Sequence, residues 1–142
     1  MAVRSLEIMG AGERADFDAV YHPRARNREA RREPLACREP GPAGFYATAL
    51  WLRGAFSGIR HRVNTVVAEG DLVCLDTVMS GRQVGPFVVF TPEGEVAREF
   101  PSYGRTFEVV QSHWMRLEDG LVVEHWAARD DLSRAQQLGW IA

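Results

Sequence analysis

The chain has 142 residues, 46% hydrophobic and 25% charged, which suits one globular domain over 1–142 with a core that needs no disulfide or structural metal. Its net charge of −2 gives no electrostatic case for nucleic acid or an anionic membrane, and no apolar run approaches the roughly 20 residues of a membrane span. Met1 to Glu7 lacks a signal-peptide core, and Cys37 and Cys74 lie too far apart in sequence for a metal motif, so a reduced, cytoplasmic setting is expected.

In chain order, Val3 to Met9 predicts a short helix that stops at Gly10-Ala11-Gly12. A second helix is predicted over Arg14 to Tyr21, where Phe17, Val20 and Tyr21 fall at helical spacing, and His22-Pro23 ends it. Arg24 to Pro42 interleaves six arginines with Glu29, Glu33 and Glu39, a pattern that reads as a solvated loop rather than a phosphate-binding patch. A third helix should start at Gly41-Pro42, bury Phe45, Ala49, Leu52 and Phe56, and end at Gly58. Strands are expected over Arg60–Ala68 and Leu72–Gly81, with Gln83 to Phe90 extending the sheet and Thr91 to Gly104 as a loop. Two more strands, Arg105–Leu117 and Leu121–Asp130, precede a short C-terminal helix or turn over Leu132 to Leu138. Helices first and an antiparallel meander after them argue an α+β fold.

The chemistry concentrates in the last strand pair. Alternation places Phe107, Val109, Gln111, His113, Met115 and Leu117 on one face, apolar except at Gln111 and His113. A three-residue turn at Glu118-Asp119-Gly120 would pair Leu117 with Leu121, His113 with His125 and Gln111 with Ala127. The inward set of the last strand is then Leu121, Val123, His125, Ala127 and Arg129; a two-residue turn would instead set Trp126 against His113. A single histidine on an apolar face is ordinarily core. Gln111, His113 and His125 at one depth favour a pocket, because each unpaired buried polar group costs about 1–3 kcal/mol. No nucleotide loop, metal-ligand cluster or G-x-S-x-G elbow is present, and Ser112 is turned away from His113 by the same alternation.

From His22 to Gly139 the chain resembles the SnoaL-like polyketide cyclases of the NTF2-like superfamily. The resemblance is carried by Gln111-Ser112-His113-Trp114-Met115-Arg116, Glu118-Asp119-Gly120, Glu124-His125-Trp126, Asp130-Asp131-Leu132 and Gln137-Leu138-Gly139. His22-Pro23 with Asn27 and Gly81-Arg82-Gln83-Val84-Gly85 add to it. It implies a cone-shaped barrel with N-terminal helices over its mouth. It also implies metal-free and cofactor-free acid–base chemistry on a small hydrophobic, oxygenated substrate. By position, Asn27, Gln111 and His113 match the family's supporting polar set. The family's catalytic aspartate falls at Ala127, so His113 becomes the expected acid/base, with a pKa near neutrality, and Asp130 the alternative acid.

On this reading Asn27, Gln111, His125 and Ala127 line the substrate site, Asn27 and Gln111 orienting a carbonyl or phenol and His125 tuning His113. A hydroxylase- or hydrolase-type relative and a non-catalytic binding or assembly protein stay open, the last favoured by Ala127. The short first helix would leave the cone mouth more open. Trp114, Trp126 and Val110, on the outer face of the last two strands, predict a homodimer through that face.

Overall fold

A computed structural model describes residues 1–142. In chain order it has α1 (Ala2–Ala11), α2 (Arg14–Val20), β1 (Tyr21–Asn27), two 3₁₀ turns (Arg28–Arg32 and Leu35–Arg38) and α3 (Pro42–Ala55). Then come β2 (Phe56–Glu69), β3 (Leu72–Gln83), β4 (Phe87–Phe90), β5 (Val96–Phe100), β6 (Thr106–Glu118), β7 (Leu121–Arg129) and α4 (Asp131–Gln137). The main sheet runs β1-β7-β6-β3-β2, with β1 parallel to β7 and the other neighbours antiparallel. The α+β expectation holds: a curved sheet carries the N-terminal helices against its inner face.

Local chemistry sets the helix limits. Glu13 and Asp16 form a capping box that starts α2, the Glu13 N–H donating to Asp16 Oδ2 at 2.8 Å. Gly41, at φ 82°, lets the chain turn into Pro42 at the head of α3. α3 then lays Gly44, Phe45, Thr48 and Ala49 inward. At Gly44 it runs so close to the second 3₁₀ turn that a Cβ would sit 1.8 Å from the Glu39 carbonyl oxygen.

Four expectations are corrected. Tyr21 to Asn27 does not stay in helix and loop but forms β1, in register beside β7 with Asn27 opposite His125. The arginine-rich segment after it is only partly solvated, since Ala30, Glu33 and Cys37 are buried. Gln83 to Phe90 does not extend the main sheet, because Val84 and Gly85 turn off it to donate to the Ala55 carbonyl, at 2.8 and 3.2 Å. β4 then pairs with β5 in a separate hairpin, so the predicted loop over Thr91 to Gly104 contains a strand. At the N-terminus α1 packs Leu6, Ile8 and Met9 into the core.

The turn between β6 and β7 also differs. Glu118 pairs directly with Leu121, leaving a two-residue Asp119-Gly120 turn with both residues at positive φ, 53° and 75°. That is the type I′ geometry an Asp-Gly pair favours. Parity is restored by a β-bulge between the Leu117–Val122 and Arg116–Glu124 pairs, where β7 carries one extra residue. The register beyond it is therefore Met115–His125, His113–Ala127 and Gln111–Arg129. His125 stays inward as expected, whereas Val122, rather than Leu121 or Val123, fills the core below the bulge.

The core divides in two. One cluster gathers Leu6, Phe17, Val20, Phe45, Leu75, Met115 and Val122 beneath the N-terminal helices. The other gathers Phe56, Met79, Phe87, Phe107, Val109 and Leu138 near the C-terminal end. On β6, Gln111 and His113 fall between Val109 of one cluster and Met115 of the other. This is the polar layer in which the candidate site lies.

Candidate functional site

Four strands and the first 3₁₀ turn build the layer. β6 contributes Gln111 and His113, only 2% and 4% exposed, and β7 contributes His125, 8% exposed, with Ala127 and Arg129. β1 ends on Asn27, whose Oδ1 accepts the Glu29 N–H at 3.1 Å and so caps the 3₁₀ turn. β2 contributes His61, whose ring meets that of His113 edge-on, centroids 5.5 Å apart.

Hydrogen bonds join these side chains into one row. Asn27 Oδ1 lies 2.9 Å from His125 Nδ1, His125 Nε2 lies 2.9 Å from His113 Nδ1, and His113 Nε2 lies 2.7 Å from Gln111 Oε1, while Gln111 Nε2 donates to Met79 Sδ at 3.2 Å. The two imidazoles stack with centroids 5.2 Å apart and planes 22° apart. They meet diagonally across the strand pair, since Ala127 is the residue directly opposite His113. Arg129, opposite Gln111, donates to the Glu29 carboxylate. The buried Nδ1 of His61 has no hydrogen-bond partner.

Burial and positive charge hold all three imidazoles neutral. His125 is pushed down to about 3, first by burial and then by Arg129 and His61. His61 is pushed down to about 4 by burial and Arg129, against the favourable influence of the Leu6 backbone and the Gln111 side chain. His113 is held well below the ordinary imidazole value by burial, then by His125, His61 and Arg129. His113 was expected to titrate near neutrality; burial and its neighbours instead hold its ring neutral. Beside this layer, Glu33 is buried against the Thr48 hydroxyl, and burial raises its carboxyl above the ordinary range.

The structure thus brings together Asn27, Gln111, His113, His125 and Ala127. Asp130 lies apart: it is exposed, and its Oδ1 caps α4 by accepting the Ser133 N–H at 3.0 Å. Sequence reasoning placed Arg129 on the inward face but missed His61 and Glu29. Ile59, His61 and Val63 alternate with Arg60, Arg62 and Asn64, and that period of two was a usable signal for His61. Two surface clefts of about 430 and 520 Å³ lie elsewhere, one at Ser57, Gly81 and Gln137, the other at Pro23, Arg116 and Glu124.

A family model described as SnoaL-like polyketide cyclase matches residues 3–138. Over 100 residues the chain is 33% identical to aklanonic acid methyl ester cyclase DnrD of Streptomyces peucetius. That match takes in 70% of this chain but 62% of DnrD, less than two thirds of the relative's length. TsrD from Streptomyces laurentii superposes with a TM-score of 0.77 at 27% identity, over 99% of this chain and 92% of that one. IdmH from Streptomyces antibioticus shares the fold, with a TM-score of 0.68 at 23% identity over 97% and 95% of the two chains.

Proposed function

The chain belongs to the SnoaL-like polyketide cyclase family, and from that premise we propose that it performs cofactor-independent proton transfer on a hydrophobic, oxygenated small molecule of the polyketide-intermediate kind, with His113 as the base. One observation supports a ligand site over a sealed core: the buried, unpartnered Nδ1 of His61, edge-on to His113. An orphaned polar atom costs about 1–3 kcal/mol, and a substrate hydroxyl or carbonyl would relieve it. Gln111 and the methyl of Ala127 border the base, and Phe45, whose ring lies 6.3 Å from that of His125, supplies an apolar wall.

The experiment is a ring-closure assay with aklanonic acid methyl ester as probe, comparing the native chain with His113→Ala. A loss of about 10²–10⁴-fold in rate with the fold intact supports the assignment. An unchanged rate overturns it. Ala127 favours a second reading, a binding or assembly protein that keeps the layer without the chemistry. Saturable binding of the same probe with no turnover by any form would select it.

We place the protein in a reducing cytoplasm, in keeping with its unpaired Cys37 and Cys74, and as a homodimer. The support for association is a row of cross-strand neighbours on the outer face: Val67, Cys74, Trp114 and Trp126. The two indoles are parallel within 6°, and Val110, one alternation along β6, is 57% exposed. Sedimentation of the native chain and of Trp114→Glu distinguishes the cases. A dimer that the substitution splits supports the interface, and a monomeric native chain refutes it.

A further inference from the structure

The two amides at the ends of the histidine row are not equivalent. Asn27 Oδ1 accepts a backbone N–H, that of Glu29, which fixes which atom of the Asn27 amide is the oxygen. The same oxygen lies 2.9 Å from His125 Nδ1, so that nitrogen carries a hydrogen. In a neutral ring the opposite nitrogen, His125 Nε2, is then a bare acceptor. It lies 2.9 Å from His113 Nδ1, which must donate to it. A neutral His113 that carries its hydrogen on Nδ1 has none on Nε2. Its neighbour there is Gln111 Oε1 at 2.7 Å, while Gln111 Nε2 donates to Met79 Sδ at 3.2 Å; neither end of this amide has a backbone anchor, and exchanging its oxygen and nitrogen presents the NH₂ to the lone pair.

We propose that Asn27 and His125 are positioning residues, a one-way relay that locks His113 in its Nδ1–H tautomer and leaves Nε2 as the base. Free imidazole side chains prefer the other tautomer, so the polarity of this row is a property of the fold. Asn27 thereby loses the substrate-orienting role that its match to the family implies, since its oxygen is already shared between the Glu29 N–H and His125. In the reaction, Nε2 forms a bond to a substrate proton and the substrate C–H or O–H bond breaks, leaving its electron pair as an enolate or phenolate. The Nδ1–H stays on His113, and its bond to His125 Nε2 carries part of the new positive charge. The proton returns from Nε2 to an oxygen of the product. Neutral resting rings are what burial and Arg129 enforce.

This inference rests on His113 as the base, but its test does not use turnover. The full chain labelled with ¹⁵N-histidine, examined at pH 7 by long-range proton–nitrogen correlation, separates N–H from bare ring nitrogens. Both His113 and His125 should show Nδ1–H and bare Nε2. Asn27→Leu should release both rings toward the Nε2–H form, Asn27→Asp should keep them, and His125→Phe should release His113 alone. A native His113 with its hydrogen on Nε2 overturns the relay, as does a tautomer unmoved in both Asn27→Leu and His125→Phe. If Asn27→Leu does not fold, the native spectrum and His125→Phe still decide. Correct tautomers alongside a fully active His113→Ala would refute the base and leave the relay standing.

Discussion

Two buried imidazoles, His113 and His125, and the half-buried His61 are held neutral, and this makes stability depend on pH. In an unfolded chain each ring titrates near 6.5. In the fold His61 is depressed to about 4, His125 to about 3, and His113 lies well below its ordinary value. Between the unfolded and folded values the unfolded state binds more protons, so acidification favours unfolding. The stabilisation is complete above roughly pH 6.5 and is lost as pH falls, at about 1.4 kcal/mol per pH unit for each ring. From pH 6.5 to 5 His61 and His125 therefore cost about 2 kcal/mol each, about 4 kcal/mol together, and His113 adds to the loss in the same direction, against a typical total stability of about 5–15 kcal/mol.

Glu33 acts in the opposite sense. Its raised carboxyl value means that the folded state takes up a proton first, so it offsets part of the loss just above the ordinary carboxylate range. Urea unfolding at intervals from pH 8 to 5 measures the slope. Replacing one ring with a neutral amide, His61→Asn, should reduce the slope by one proton. A stability that is flat from pH 7 to 5, or a His61→Asn slope equal to the native one, would refute the reasoning and mean that the rings are already solvated or charged.

Gly44→Ala should destabilise by about 1–3 kcal/mol, read from thermal unfolding, because its Cβ would meet the Glu39 carbonyl oxygen at 1.8 Å and backbone must move. Asp130→Asn should leave both stability and ring-closing rate near the native values, since asparagine caps equally well, while Asp130→Ala should cost about 1 kcal/mol. Ala127→Asp, which puts a carboxylate directly across from His113, should raise the His113 pKa and increase the rate on aklanonic acid methyl ester. The imidazole titration and the rate are measured on the same protein.

The inner face of β6 was legible because it obeys a single rule: every second residue from Phe107 to Met115 is buried, and the two polar members stand out against that background. His125 was placed correctly for a reason the sequence does not display. Asp119-Gly120 shortens the turn by one residue and the bulge in β7 adds one back, so two departures cancel in parity and shift the pairing by two. β1 was hidden by its charge. Tyr21 to Asn27 holds three polar or charged outward residues, Arg24, Arg26 and His22, and its pairing with β7 is long-range and parallel, which local pattern does not report. That strand delivers Asn27 to the site, and the 3₁₀ turn it leads into delivers Glu29. β4 and β5 were missed because the two-stranded hairpin depends on where Val84 and Gly85 anchor to Ala55, again a contact between distant segments.

Ala127 reads differently once the row of side chains is seen. The resemblance places a carboxylate there, and a carboxylate opposite His113 would favour the imidazolium and make the imidazole a companion rather than a base. With a methyl at 127 and the Arg129 guanidinium one alternation along, the field in the layer favours the neutral ring. Losing the acid and freeing the base are then one change. A base with a strongly depressed pKa is weak, but it is fully unprotonated across the physiological range, and the relay aims its lone pair. This sets the form of the pH–rate profile. An aspartate of ordinary pKa working with a charged histidine gives a bell with limbs on either side of its optimum. Here kcat should be level from pH 8 down to about 5, where the folded protein itself begins to be lost, and no limb should appear near 6.5. Rates taken with folded protein counted separately at each pH decide between the two forms. A limb near 6.5 in the folded fraction would mean that His113 titrates freely, and with it would fall both the neutral layer and the base assigned to it.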